Sequence, residues 1–206
     1  MKPHLALSIG LAVALTQTGL AQSNHLVATV QDASVGKQIT VHEPDGTVVF
    51  THSPAGGPAE NTPNFLEVVP ADGRFLVTCT DGSSSSGGSI QIYDYSAYAF
   101  GGDIFHVTSL DVGDKPFHTS LTPDDRVCVA IDGETPGRLL LVDLIDPSNY
   151  VSMVAGQNHA TTAFVPLENG RFDIYASNFF GGATNGSMDI LEFDGSAWSH
   201  RVDDLP

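Results

Sequence analysis

Basic residues are scarce. The chain of 206 residues carries 8 Lys and Arg against 24 Asp and Glu, a formal net charge of −16 with histidine neutral. With an isoelectric point near 4.5, nucleic acid and anionic lipid headgroups are excluded as default ligands, because a polyanion is held by a basic surface. Charge of both signs together is only 16% of residues, below the roughly 25% of an average domain. The 11 Phe and a mean hydropathy of +0.03 nevertheless supply apolar surface for a packed core rather than a disordered chain. Cysteine is limited to Cys79 and Cys128. An oxidising compartment would allow one disulfide between them, and the alternative is two buried strand cysteines acting as small hydrophobes. No Cys-x-x-Cys-His occurs, which removes covalent haem attachment. Past residue 23 no segment holds a 3.6-residue apolar period, so helix is not expected there.

One apolar run exists, residues 5–15, too short for the about 20 residues of a membrane span. It follows Lys2 and precedes Thr16-Gln17-Thr18-Gly19-Leu20-Ala21, with small residues at the −3 and −1 positions for cleavage after Ala21. Residues 1–21 therefore read as a secretory signal peptide and residues 22–206 as a single repeat domain, placed in the periplasm or outside the cell. From Gln22 onward the chain has 7 bases and 24 acids, net −17.

Apolar alternation punctuated by Gly, Asp, Ser and Pro predicts an all-β chain. Within it lies a repeat. Residues 64–82, which include Val69-Pro70-Ala71-Asp72-Gly73-Arg74-Phe75-Leu76-Val77, are echoed by residues 117–133 with Thr122-Pro123-Asp124-Asp125-Arg126-Val127-Cys128-Val129. A third copy, residues 161–178, carries Pro166-Leu167-Glu168-Asn169-Gly170-Arg171-Phe172. The arginines stand 52 and then 45 residues apart (74, 126, 171), a period that suits propeller blades. Each copy reads as strand, tight hairpin, strand, glycine-rich loop and third strand (residues 89–94, 138–143, 187–194), followed by a fourth near 104–110, 150–154 and 198–202. Four antiparallel strands make a blade. Ahead of these copies, residues 26–31, 37–42 and 47–52 read as a blade lacking its innermost strand. The expected fold is thus a β-propeller-like array of four-stranded antiparallel blades, an incomplete arc of about four. Since an open sheet leaves an unpaired edge, the arc reads either as a shortened propeller or as a segment that a homo-oligomer or another partner closes.

The Pro-Asp-Gly-Arg type of turn between short strands, followed by a strand ending in Val142-Asp143, resembles the secreted bacterial β-propellers with YVTN-type and WD40-like repeats, over about residues 26 to 204. Residues 110–118 and Asn158-His159-Ala160, ahead of Val165-Pro166-Leu167, are also similar to propeller-type zinc chaperones that serve periplasmic zinc importers, although no His-x-His pair is present. Other propellers of related repeat type are metal-dependent lactonases, a likeness that directs attention to Asn64, Glu67 and Asn158 as ligand-binding residues.

Histidine placement carries the chemistry. His118 and His159 each open the inner strand of a blade, His118 five residues before Pro123 and His159 seven before Pro166. Both separations are odd, so without a bulge the two side chains share one sheet face. Two neutral imidazoles beside a carboxylate suit Zn²⁺, with His106, Asp103 and Asp114 as candidate third ligands; the bland reading is rim histidines bonded to backbone. Calcium is the other cation in view, at the turn carboxylates Asp81, Asp132, Asp143 and Asp146, though no Asp-x-Asp-x-Asp-Gly loop occurs. No Gly-x-Ser-x-Gly elbow and no His-Glu-x-x-His occurs, so serine-nucleophile and metalloprotease chemistry lack their signatures. The expected function is an exported, non-catalytic binding module that takes a protein or small ligand at the rim carrying His118 and His159. A zinc-binding metallochaperone and a metal-dependent lactonase-like hydrolase are the alternatives.

Overall fold

The computed structural model describes residues 12–15, 26–30, 37–54, 62–80, 88–113, 115–131, 137–154, 159–178, 188–194 and 197–205. They form four antiparallel sheets, each a meander of four strands in chain order. The first holds β1 (Ala12–Leu15), β2 (Leu26–Val30), β3 (Ile39–His42) and β4 (Val48–His52). The second holds β5 (Thr62–Val69), β6 (Arg74–Thr80), β7 (Gly88–Asp94) and β8 (Phe105–Asp111). The third holds β9 (Pro116–Leu121), β10 (Val127–Ile131), β11 (Arg138–Val142) and β12 (Val151–Val154). The fourth holds β13 (His159–Pro166), β14 (Phe172–Asn178), β15 (Met188–Phe193) and β16 (Trp198–Leu205).

The opening strands β1, β5, β9 and β13 pack side by side, each against the next. They are therefore the innermost strands, and the sheets radiate from them as blades. All three later blades expected from the repeat are present. The first departs from expectation. Its innermost strand is not missing: β1, from within the segment read as a signal peptide, pairs with β2 from Ala12 opposite Thr29 to Leu15 opposite Leu26. A short apolar stretch with Val and Leu pairs with a strand as readily as it serves an export signal, because both uses need only an uncharged run.

Three apolar layers hold the blades together. Leu26, Ile39 and Val41 of the first sheet meet Leu66, Phe75 and Cys79 of the second. Leu76, Ile90 and Ile92 meet Val127, Val129 and Leu140. Cys128, Leu139 and Leu141 meet Phe172, Ile174 and Leu191. Successive strand residues point to opposite faces, so in a blade sandwiched on both sides every position is core. That is why β11 reads Leu139-Leu140-Leu141-Val142 without polar alternation, with alternate residues entering different layers. Cys79 and Cys128 are both unbridged and buried in different layers. Burial pushes each thiol up to about 12, and the hydrophobic reading of the cysteines is the one the fold realises.

The repeated turn has a common geometry. Gly73, Asp125 and Gly170 each occupy the left-handed region, with φ of 62°, 61° and 73°, directly before Arg74, Arg126 and Arg171. A side chain at Gly73 would meet the Ser96 Cβ at 2.6 Å. The arginine that follows ties the turn down: Arg74 Nε donates to Asp94 at 3.2 Å and its Nη1 to the Leu144 carbonyl of the next blade, while Arg171 pairs with Glu192.

Candidate functional site at the inner rim

Three of the innermost strands share a second feature that parity counting from sequence does not anticipate. β5, β9 and β13 each have a bulge near the start, whereas β1 pairs with β2 without a break in register. In β5 the extra residue is Asn64, between the pairs Pro63–Cys79 and Phe65–Thr78. In β9 the register shifts between Thr119–Val129 and Pro116–Ile131, so that Phe117 and His118 together face Ala130. In β13 it shifts between His159–Asn178 and Thr161–Ser177, with Ala160 as the extra residue. A bulge bends the strand and re-aims side chains. The odd-spacing argument that set His118 and His159 on one face required an unbulged strand, and it does not survive: His118 sits in its bulge, whereas His159 lies one step beyond its own.

At the seam between the second and third blades the bulges bring a set of side chains together. The His118 ring stacks on Phe65 with centroids 4.4 Å apart and planes 28° from parallel, and Phe117 meets Phe65 edge-on at 4.9 Å. The Thr78 hydroxyl donates to the Phe117 carbonyl at 3.0 Å, pinning the bulge to the neighbouring blade. His118 Nδ1 is buried and has no hydrogen-bond partner among the described residues. A buried polar atom without a partner is destabilising by about 1–3 kcal/mol, and such a site is the natural place for an external group. Asn64 is occupied, its amide donating to Thr80 Oγ1 at 2.6 Å. Glu67, half-buried two residues along β5 from Phe65, has its carboxyl pushed above the usual range by burial. Phe65 and Phe117 were not singled out in the sequence; a phenylalanine near the start of both β5 and β9 was the available signal.

The remaining candidates do not converge there. His106 lies on β8, the outermost strand of the second sheet, three strands from β5, or about 14 Å at the usual strand spacing. It packs instead on His52. Asp103 is exposed in the loop before β8. His159 falls on β13, adjacent to β9, as backbone placement; Asn158 and Asp114 lie outside the described residues, as do Asp81 and Asp132. Asp143 caps its own turn, accepting from the Ile145 amide at 2.7 Å. Among the described residues no three His, Cys, Asp or Glu side chains are grouped to hold a metal ion, and no helix is long and apolar enough to cross a membrane.

No protein-family model matches the sequence, and no curated protein matches it. Solved structures do. Hydrazine synthase of Kuenenia stuttgartiensis is similar at a TM-score of 0.56 and 12% identity, covering 88% of this chain and 51% of that one. A Phanerochaete chrysosporium exo-beta-1,3-galactanase, solved with beta-1,3-galactotriose, aligns at 12% identity over 96% of this chain and 54% of that one, with a TM-score of 0.42. This chain spans about half the length of either. At such identity the first likeness bears on architecture alone, and it agrees with the strand order: the chain is an all-β protein of four-stranded, propeller-like blades.

Proposed function

We propose that the chain is an exported, non-catalytic binding module of the secreted YVTN-type propellers, taking a small or protein ligand at the inner rim where β5 and β9 bulge. The observation that carries this reading is the buried His118 Nδ1 without a partner, stacked on Phe65 beside Phe117. An imidazole nitrogen flanked by two aromatic rings offers one directed polar contact and a stacking surface, the composition of a ligand pocket rather than of a packing layer. Export rests on Lys2, the apolar run and the cleavage pattern ending at Ala21.

The test is co-purification from the exported fraction, comparing wild type with His118→Ala and Phe65→Ala. A ligand or partner recovered with wild type and lost with both variants at unchanged melting temperature supports the reading. An identical set of co-purifying species in all three overturns it. Calorimetric titration with zinc alone, at about pH 7.5 and about pH 5.5, decides the metal-handling rival. One-to-one binding that disappears at the lower pH and in His118→Ala would assign the nitrogen to a metal, with His159 of the adjacent strand the nearest second imidazole by topology. N-terminal sequencing of the exported chain checks the cleavage; a start at Gln22 would leave the mature first blade without β1.

A further inference from the structure

At the outer end of the seam between the first and second blades, far from the inner rim, two histidines from different sheets lie face to face. The rings of His52 on β4 and His106 on β8 stack with centroids 4.6 Å apart and planes 27° from parallel. His52 Nδ1 is 2.7 Å from the hydroxyl of Tyr93 on β7, and the Tyr93 ring also packs against His106 at 5.2 Å and Phe75 at 4.7 Å. His106 Nε2 is 3.2 Å from Ser109 Oγ, which donates to the buried Gln91. Phe50 closes the end of the cluster against Tyr93. Stacked rings hold their nitrogen lone pairs in parallel planes, so the pair does not converge on a metal. What it does is clasp the outermost strand of the first blade to the second.

We propose that the His52–His106 stack is an acid-sensitive latch between the first two blades, closed while both imidazoles are neutral and opened when they take up protons. Every titratable group facing it points the same way. From β7 comes Tyr93 and from β6 Cys79, whose burial keeps both neutral through the range where histidine titrates. Asp94, next along β7 and so on its opposite face, is engaged by Arg74 and by the Ser96 amide. The charge that acts on His52 is His106 itself. Protonation therefore sets two like charges in contact, with no carboxylate among the described residues acting on either ring to offset them. If the neutral Nδ1 of His52 accepts from Tyr93, protonation also fills that lone pair and forces the bond to reverse.

Both histidines lie below their ordinary value of 6.5, desolvation being the larger cause for each. The sign follows. The unfolded chain takes up protons that the folded cluster resists, so the latch's contribution is complete above about pH 6.5 and fades as pH falls below it.

The experiment is a histidine NMR titration of the full chain, with His52 and His106 assigned through His52→Gln and His106→Gln. Expected are midpoints below 6.5 for both in wild type, an upward move of the His52 midpoint in His106→Gln, and a protection of the β4 amides that drops by about tenfold more than that of β6 on acidification. Midpoints at or above 6.5, a His52 midpoint indifferent to His106→Gln, or parallel loss of protection in β4 and β6 would each overturn the latch. Should either variant fail to fold, wild-type assignment through contacts to Tyr93 and the exchange comparison decide it alone.

Discussion

Residue identity matters most where the backbone adopts a conformation that few side chains accept. The left-handed position before each repeat arginine is glycine in the first and third copies and Asp125 in the second. A β-carbon in that region is unfavourable by roughly 1–2 kcal/mol, offset in part by the extra freedom glycine has when unfolded. Asp125 also adds negative charge near Asp72, whose carboxyl is raised chiefly by burial and then by the Asp143 and Asp125 charges. Asp125→Gly should therefore stabilise the protein, by about 0.5–1 kcal/mol. Gly73→Ala should do the reverse and more, because its methyl would collide with the Ser96 Cβ at 2.6 Å and Cα at 2.9 Å. Urea denaturation midpoints of the two variants check both signs; a loss in Asp125→Gly would mean that its side chain is doing something the turn geometry does not show.

At the scale of the element, a strand inside a propeller-like stack is buried on both faces, and its two faces belong to different layers. Leu139 and Leu140 are adjacent and fully buried, yet Leu139 packs toward the fourth blade and Leu140 toward the second. Leu139→Ala and Leu140→Ala should each lower stability by about 2–5 kcal/mol. Because the cavities open in separate layers, the double variant should come close to the sum of the two. Ile145→Ala, at 57% exposure, should fall within about 0.5 kcal/mol of wild type. Denaturant unfolding of the set tests this; strong non-additivity of the leucine pair would show that the layers deform together. The hairpin turn and the strand pairs around it were legible from the Pro-Asp-Gly-Arg pattern, since turn residues and period-2 apolarity are local. The bulges at Asn64, Phe117-His118 and Ala160 were not, because an extra residue in one strand is defined only by what its partner strand does.

For the molecule as a whole, the dominant global quantity is the charge of −16. Self-repulsion of that size opposes the compact state and is screened over a distance that shrinks from about 30 Å at 0.01 M salt to about 8 Å at 0.15 M. The melting temperature at about pH 7.5 should therefore rise by roughly 2–5 °C between those ionic strengths, as calorimetry would register; a flat response would mean that the carboxylates are locally compensated. The repeat spacing, the turn chemistry and the absence of helical period lie in the sequence alone, and they determined the all-β class, the four-stranded blade and the count of blades, because each rests on residues close along the chain. Tertiary structure alone decided which residues meet between blades. It separated Cys79 from Cys128, stacked the outer-strand His106 on His52 rather than setting it beside His118 as a third ligand, and put Phe65 over His118. Those pairings join residues from different sheets. Nothing in a strand's own sequence specifies the face its neighbour presents, or where an inserted residue turns that face.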